Sequence, residues 1–213
     1  MISKKEIGHI ILAIMVLTFV TSLYTVIKTG NYSFILQSAL FLFIILLVNI
    51  FTKKSAAEYY ESTLETKIWH MQRYGFKRED YFKFPLPTGI ILPFLASILS
   101  SGKVFWFAVM ESDIQGTSAR ASKKHGIYRF TEMTEFHISL IIASGVVANL
   151  ILAVISYLIN VPLLGKLSIY YAAFSLIPFG NLDGMKILMG NKVLWFTLSI
   201  ITLIFLAYAL FLP

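Results

Sequence analysis

The chain has 213 residues, of which 57% are hydrophobic and 14% charged, and its mean hydropathy is +0.76. This is more apolar surface than a soluble domain buries in one core, so we expect lipid to be the main solvent. The net charge of +7 comes without a Lys/Arg stripe with interleaved aromatics, so no nucleic-acid partner is expected, and the absence of cysteine excludes disulfides and thiolate chemistry.

Two spanning helices are predicted first, over residues 7–27 and 33–51. Each run meets the requirement of roughly 20 mostly apolar residues for crossing a bilayer. Lys4 and Lys5 precede the first run, as they would in a signal peptide. That run is too long for a signal peptide, however, and no cleavage site of small residues follows it, so residues 1–52 are expected to form two retained spans.

The next segment, residues 53–88, is predicted to be a cytoplasmic or interfacial helix. Within it Tyr59, Leu64, Ile68 and Met71 recur near helical spacing among charged residues. Two arrangements remain open, because this helix would either extend the second span or lie on the membrane surface.

Residues 89–110 are predicted to form a re-entrant hairpin. The positive-inside rule places both basic clusters, at residues 53–83 and 120–129, in the cytoplasm together with the amino terminus. Both clusters share that side only if the apolar segment between them enters and leaves on one face. Prolines and glycines that would interrupt a long helix agree with this interpretation: Pro85, Pro87, Gly89, Pro93 and Gly102. A plain crossing is the alternative.

Three further spans are predicted in residues 136–213. Runs 137–159 and 193–212 are long enough to cross, whereas 167–179 is about 20 Å of helix against a hydrocarbon core of about 30 Å. This segment spans if it begins at residue 161. Otherwise Pro178 and Gly180 break it inside the membrane and leave Asp183 at depth, where an ionisable group marks a functional site. Alternatively, Asp183 caps a surface turn.

The predicted fold is therefore an all-α integral membrane protein with about five to six transmembrane helices and a re-entrant hairpin. Residues 1–213 form one membrane domain, because no linker is long enough to separate a second. We expect it in the cell membrane, with a cytoplasmic amino terminus.

Two segments resemble sequence blocks of the site-2 protease family of intramembrane zinc metalloproteases. They read IIASGVVANL over residues 141–150 and FSLIPFGNLDG over residues 174–184. The family has a Gly-Pro pair and a nearby Asn in the first block, and Phe-Asn-x-x-Pro followed by Leu-Asp-Gly in the second. The resemblance extends from Thr63 to the carboxyl terminus and implies a site-2 protease-like core. Its implied binding or structural residues are Asp183, Gly184, Pro178, Ser175, Asn149 and Gly145.

In this resemblance Asp183 stands at a zinc ligand, and Pro178 and Gly184 shape the broken helix that presents it. Gly145, four residues before Asn149, provides a small-residue face for close helix packing, and Asn149 is expected to hydrogen-bond across helices. Ser175 replaces an Asn of the family, and Val146 replaces its Pro.

The chain departs from the family at the His-Glu-x-x-His motif, which occurs nowhere in it. Counting back from Arg73, the corresponding window places Thr63 and Lys67 at the two His and Leu64 at the Glu. Lys has no lone pair for zinc at neutral pH and repels the ion. No cofactor and no catalytic residue are therefore expected.

The same window suggests that Lys67 replaces zinc and pairs with Asp183. The alternative is that Lys67 is one of several solvated charges on a polar helix face. A metal held by His70 and Asp183 with Glu65 or Glu111 is a further possibility, although the sequence announces no convergent geometry for it.

Three functions follow from these observations. The first is an inactive site-2 protease-like protein acting as a binding, assembly or regulatory subunit, whose partners are the bilayer and a membrane protein or transmembrane helix. The second is an active zinc metalloprotease with nonstandard ligands. The third is a small transporter or channel, motivated by Asp183 and Lys67 near a possible cavity.

Overall fold

The computed structural model describes residues 3–73, 81–117 and 133–211. In chain order its helices and strands are α1 (Lys4–Thr29), α2 (Ser33–Tyr59), β1 (Ser62–Ile68), β2 (Met71–Arg73), β3 (Tyr81–Leu86), α3 (Thr88–Leu99), β4 (Met110–Gly116), α4 (Glu135–Leu158), α5 (Pro162–Ser175), α6 (Asp183–Gly190) and α7 (Lys192–Phe211).

Four of the described helices, α1, α2, α4 and α7, are long and apolar enough to cross a membrane. The prediction of a helical membrane protein is confirmed at this level. The four helices match the predicted runs 7–27, 33–51, 137–159 and 193–212, with polar residues added at their ends. Lipid supplies no water to the backbone N–H and C=O groups of these apolar runs, so the groups hydrogen-bond to one another within the helix.

Helices α1 and α2 form an antiparallel pair that is fastened where α1 begins and α2 ends. Ser3 caps α1, and Glu6 closes the capping box by accepting a hydrogen bond from the Ser3 backbone. The buried Glu6 carboxylate also pairs with Lys54 of α2 at 2.6 Å and accepts from the Thr66 N–H of β1 at 3.1 Å. The strands therefore lie at this end of the helix pair.

The prediction of a helix over residues 53–88 is wrong beyond Tyr59, where α2 ends. Residues 62–68 form β1, which pairs antiparallel with β4, and β2 pairs with β3. Buried Leu64, Thr66 and Ile68 alternate with the more exposed Thr63 and Lys67, which is the period of two typical of a strand. The apolar spacing that suggested a helix joins residues from α2, β1 and β2.

The two ends of segment 89–109 are hydrogen-bonded to one residue, Trp69. Trp69 accepts a hydrogen bond from the Gly89 N–H and donates its own N–H to the Val109 carbonyl, both at 2.9 Å. The outgoing arm is α3, whose 12 residues measure about 18 Å. Beyond it, Gly102 packs so closely on Tyr24 that a Cβ would lie 2.7 Å from the Tyr24 nitrogen. Tyr24 is about 27 Å along α1 from Glu6, so the segment runs deep beside α1 before it turns back.

The carboxyl-terminal half surrounds a broken helix. Helix α5 begins at Pro162 and ends at Ser175, an irregular segment covers residues 176–182, and α6 begins at Asp183. Thus the predicted short segment starts earlier, as its extended version required, and still ends in a break. Gly190 at the end of α6 packs on the Glu135 carbonyl at the start of α4. Helix α4 packs on α2, α5 and α6 and so lies at the centre of the bundle.

Candidate functional site

Asp183 lies in the protein interior and forms a salt bridge with Lys53. The Lys53 Nζ atom is 2.5 Å from Asp183 Oδ2, and the two side chains are 2% and 6% exposed. The Ser112 N–H of β4 donates to Asp183 Oδ1 at 3.2 Å. Because both carboxylate oxygens have partners inside the fold, the alternative of a solvated surface turn is wrong for Asp183.

Lys53 reaches this site from the end of the apolar run of α2. It lies 20 residues beyond Ser33, about 30 Å along the helix, which is close to the thickness of a hydrocarbon core. Its Nζ atom also donates to Ser112 Oγ at 3.3 Å. Asn49, one turn earlier on the same face, is buried, and its Nδ2 atom has no hydrogen-bond partner in the described part of the chain. The polar face of α2 is therefore directed at the α6 amino terminus.

Gly145 of α4 makes room for the Lys53 side chain. A Cβ at this position would lie 2.5 Å from Lys53 Cε and 2.8 Å from Asn49 Nδ2. Such distances are far shorter than van der Waals contact, so any larger residue would displace the lysine or separate α2 from α4. The glycine thus sets the path by which the ammonium group reaches Asp183.

Gly184 and Pro178 belong to the break that presents Asp183. A Cβ on Gly184 would lie 2.3 Å from the Leu176 carbonyl carbon and oxygen and 2.6 Å from the Ile177 oxygen. These are backbone atoms, which cannot rotate away as a side chain can. Pro178 follows the end of α5 and has no N–H, so it cannot continue the helical ladder. The break and the first turn of α6 are therefore packed backbone against backbone.

Asn149 and Ser175 make no hydrogen bond to the Lys53–Asp183 pair in the described part of the chain. Asn149 is fully buried, and neither of its amide atoms has a partner among the described residues, although its main-chain carbonyl accepts from Ser168 Oγ at 2.8 Å. Ser175 Oγ donates to the Tyr171 carbonyl at 2.8 Å, one turn back in α5. Ser175 therefore satisfies its hydroxyl within its own helix.

The window Thr63 to Lys67 does not form a helical turn at the site, because it lies on β1. Thr63 is exposed and donates to the Gln115 carbonyl at 3.3 Å, while Leu64 belongs to the core. The Lys67 side chain is 42% exposed, with its Nζ atom 3.2 Å from Asp113. The prediction that Lys67 pairs with Asp183 is therefore wrong, and Lys53 is the partner.

Lys67 also lies 3.6 Å from Glu111, which stands opposite it on β4. Burial opposes the charge on Lys67, but the hydrogen bond and charge of Asp113, with a contribution from Glu111, raise its pKa above the usual value. Burial raises the pKa of the Glu111 carboxyl, against the effects of Lys186, Lys67 and His70. The strand pair thus carries a second charged cluster beside Asp183.

Metal ligation requires convergent donors, and residues 3–73, 81–117 and 133–211 contain no group of three or more His, Cys, Asp or Glu placed to hold an ion. The set of His70 and Asp183 with Glu65 or Glu111 is not assembled. The ammonium of Lys53 already neutralises Asp183 and has only donors. In this arrangement both carboxylate oxygens of Asp183 accept hydrogen bonds from the protein itself, from Lys53 and from Ser112.

Sequence reasoning missed Lys53, Ser112 and Lys186, whose Nζ atom donates to the Ser112 carbonyl. The signal for Lys53 was its spacing from Asn49, because residues four apart share one face of a helix. Lys53 instead counted as one of several basic residues that predict the orientation of the chain in the membrane. Ser112 had no signal in the sequence, because two of its three contacts at the site are made by its backbone N–H and carbonyl.

Fold and site together define a helical membrane protein with a buried lysine–aspartate pair where a span meets a broken helix. Comparison of the chain with protein-family models, curated proteins and solved structures finds no match. The site-2 protease resemblance accordingly rests on the sequence blocks alone.

Proposed function

We propose that the chain is a catalytically inactive protein of site-2 protease type that serves as a binding, assembly or regulatory subunit of a membrane protein complex. The observation that supports this most is the contact between the Lys53 ammonium and the Asp183 carboxylate. The resemblance makes Asp183 a zinc ligand, so a lysine there supplies the positive charge in place of the metal.

The geometry also suggests a different register for the degenerate motif. In His-Glu-x-x-His the two ligands are four residues apart on a helix, and the Glu follows the first of them. Asn49 and Lys53 have this spacing on α2, with Ile50 at the position of the Glu. Ile50 has no group that can accept a proton from water, so this register lacks a general base as well as two ligands.

In this proposal segment 89–109 is a re-entrant element. Its two ends meet at Trp69, and its tip packs on Tyr24 near the far end of α1. A segment that starts and ends beside one residue enters and leaves on one side of the membrane. The amino terminus and the strands then share that side, which the basic residues assign to the cytoplasm.

A binding role is supported by the space that remains beside the ion pair. Two cavities of about 350 Å³ and 290 Å³ lie along β4, and both are bordered by Gly180 and Asn181. A degenerate site that keeps its cavities and its packed break is suited to holding a partner rather than cleaving it. The partner we expect is a membrane protein or a transmembrane helix.

The proposal is tested on protein solubilised in a mild detergent. Native mass spectrometry should show this chain with a second membrane protein at a fixed ratio. The complex should persist in the exposed-strand variant Glu65→Gln and weaken in Gly184→Ala, which disturbs the break. Reproducible purification of the chain alone would contradict the binding role. Cleavage of membrane substrates that is lost on Asp183→Ala would instead establish the metalloprotease, and ion flux in liposomes would establish the transporter.

A further inference from the structure

A groove of about 700 Å³ runs between α1 and α2 on the outer surface of the helix bundle. One wall consists of isoleucines of α1 between Ile7 and Ile14, and the other consists of apolar side chains of α2 between Phe43 and Phe51. Leu47 and Phe51 are 50% and 69% exposed, so no other described helix covers the α2 wall. We call this space the α1–α2 groove.

The length of the α1–α2 groove matches one leaflet of a bilayer. Along α2 the groove extends from Phe43 to Lys54, a separation of 11 residues or about 17 Å of helix. Half of a hydrocarbon core is about 15 Å thick. Because Lys54 follows the apolar run of α2, the groove extends from the polar surface of the membrane to its middle.

The polar end of the groove adjoins a second cavity. This cavity has a volume of about 310 Å³, and Lys54 and Glu58 line both spaces. Its other lining residues are mostly polar and include Glu61 and Thr63. An apolar groove that continues into a polar cavity fits an amphipathic molecule, with its chain in the groove and its head in the cavity.

Charges of opposite sign flank the polar end at similar heights. Glu6 of α1 and Lys54 of α2 are 2.6 Å apart, and this contact fixes the relative height of the two helices. Lys4 is two residues before Glu6 and shares a face of α1 with the groove residue Ile7. Glu58 is four residues after Lys54. Lys4 and Glu58 therefore lie outward from that contact, by about 3 Å and 6 Å along their helix axes.

The balance of charge at this end favours a zwitterionic headgroup. Among the described residues there, three ammonium groups are offset by three carboxylates, which belong to Lys4, Lys5 and Lys54 and to Glu6, Glu58 and Glu61. Glu6 neutralises Lys54, whereas Glu58 forms no ion pair with a described residue. An anionic headgroup would leave Glu58 without a counter-ion, but a headgroup with a phosphate and an ammonium group complements both Lys4 and Glu58.

We propose that the α1–α2 groove binds one molecule of phosphatidylethanolamine from the leaflet on the side of the strands. An acyl chain lies between the apolar walls, the phosphate lies at Lys4, and the primary ammonium group donates hydrogen bonds to Glu58. Such bonds are strong because both partners are charged. The inference goes beyond the proposed function and does not depend on it, because Lys53 and Asn49 lie on a different face of α2.

The test is native mass spectrometry of the full chain in detergent, after its endogenous lipids have been removed. The protein receives equal amounts of phosphatidylethanolamine, phosphatidylcholine and phosphatidylglycerol with identical acyl chains. Phosphatidylcholine has the same charges as phosphatidylethanolamine, but its ammonium group has no N–H to donate. We expect one bound phosphatidylethanolamine per chain, with an affinity about tenfold higher than that of either other lipid.

Two pairs of variants separate the headgroup from the chain. Glu58→Gln should reduce the preference for phosphatidylethanolamine over phosphatidylcholine to roughly threefold or less, whereas Glu65→Gln, on the exposed face of β1, should leave it unchanged. Leu47→Trp, which fills the groove, should weaken binding of all three lipids by about tenfold. Its control is Leu40→Trp, because Leu40 is equally exposed on α2 but does not line the groove.

Equal affinity of the wild type for phosphatidylethanolamine and phosphatidylcholine would overturn the inference. So would equal losses in Leu47→Trp and Leu40→Trp, because the bound lipid would then belong to a nonspecific layer around the protein. A protein subunit that dissociates only from Leu47→Trp, with phosphatidylethanolamine retained, would assign the groove to a transmembrane helix instead. Absence of lipid selectivity from a chain that still forms its membrane complex would refute this inference and leave the proposed function standing.

Discussion

Neutralising one member of the Lys53–Asp183 pair should destabilise the protein far more than removing both. The single variants are Lys53→Met and Asp183→Leu, and the double variant is Lys53→Met/Asp183→Leu. Each single change leaves one buried charge without its partner, because both side chains are almost fully buried. The double variant leaves none.

The expected magnitudes follow from the geometry of the pair. At 2.5 Å and an effective dielectric constant of about 20, the attraction is about 7 kcal/mol. Desolvation of the two ions offsets most of it, since each ion loses several kcal/mol of hydration on burial. Removal of one partner should therefore reduce the free energy of unfolding by about 3–5 kcal/mol, while the double variant should lose about 1 kcal/mol or less.

Reversible unfolding in mixed micelles, followed by circular dichroism, measures these differences. The charge exchange Lys53→Asp/Asp183→Lys should recover part of the stability that either reversal alone loses. The matched control is Lys67→Asp/Asp183→Lys, which places the new charges on β1 and α6, where the structure shows no contact between the native residues. Equal recovery in both exchanges, or additive losses in the double neutral variant, would refute the pairing.

Further predictions concern the surroundings of the pair. Gly145→Ala should reduce the free energy of unfolding by about 1–3 kcal/mol because its Cβ meets the buried lysine, while Gly8→Ala, which meets nothing within 4 Å, should cause no loss. Asp113→Asn should change stability by less than about 1 kcal/mol, because the ion pair of Asp113 with Lys67 is exposed on both sides and is screened by water. Burial raises the pKa of Glu111, so the folded state holds this proton more tightly than the unfolded chain. That contribution is complete below the ordinary value of 4.5 and is lost as the pH rises through the raised pKa. Unfolding measured at several pH values should thus show the wild type losing stability relative to Glu111→Gln as the pH rises from 4 to 7, and parallel curves would contradict this.

The spans were predictable because lipid leaves little choice. An apolar run of about 20 residues must be helical in a bilayer, and α1, α2, α4 and α7 follow the four predicted runs closely. The break after α5 was also predictable, since Pro178 has no N–H for the helical ladder and Gly180 is a poor helix former.

The strands were missed because two periodicities compete in residues 55–74. Helical spacing of four apolar residues suggested one continuous helix, whereas the alternation from Ser62 to Ile68 is that of β1. What decides between them is the partner strand β4, which lies more than 40 residues away in the sequence. The pattern of residues 55–74 alone carries no information about that distant partner strand.

The sequence suggested that Asp183 pairs with a lysine, but it suggested the wrong lysine. Asp183 and Gly184 were singled out from the resemblance of their segment to a family block, and a lysine paired with Asp183 was one of two interpretations of Lys67. Counting residues back from Arg73 selected Lys67, although the strands intervene between the helix and that point. Asn49 and Lys53 carried the correct helical spacing, but only the packing of α2 on α4 shows that this face meets Asp183.

The metal content of the purified wild-type protein tests the central claim most directly. After expression in zinc-supplemented medium and purification without chelators, elemental analysis should find far less than one zinc per chain, with no difference between the wild type and Asp183→Ala. One zinc per wild-type chain that is absent from Asp183→Ala would show that the carboxylate holds a metal rather than the Lys53 ammonium, and would contradict the account.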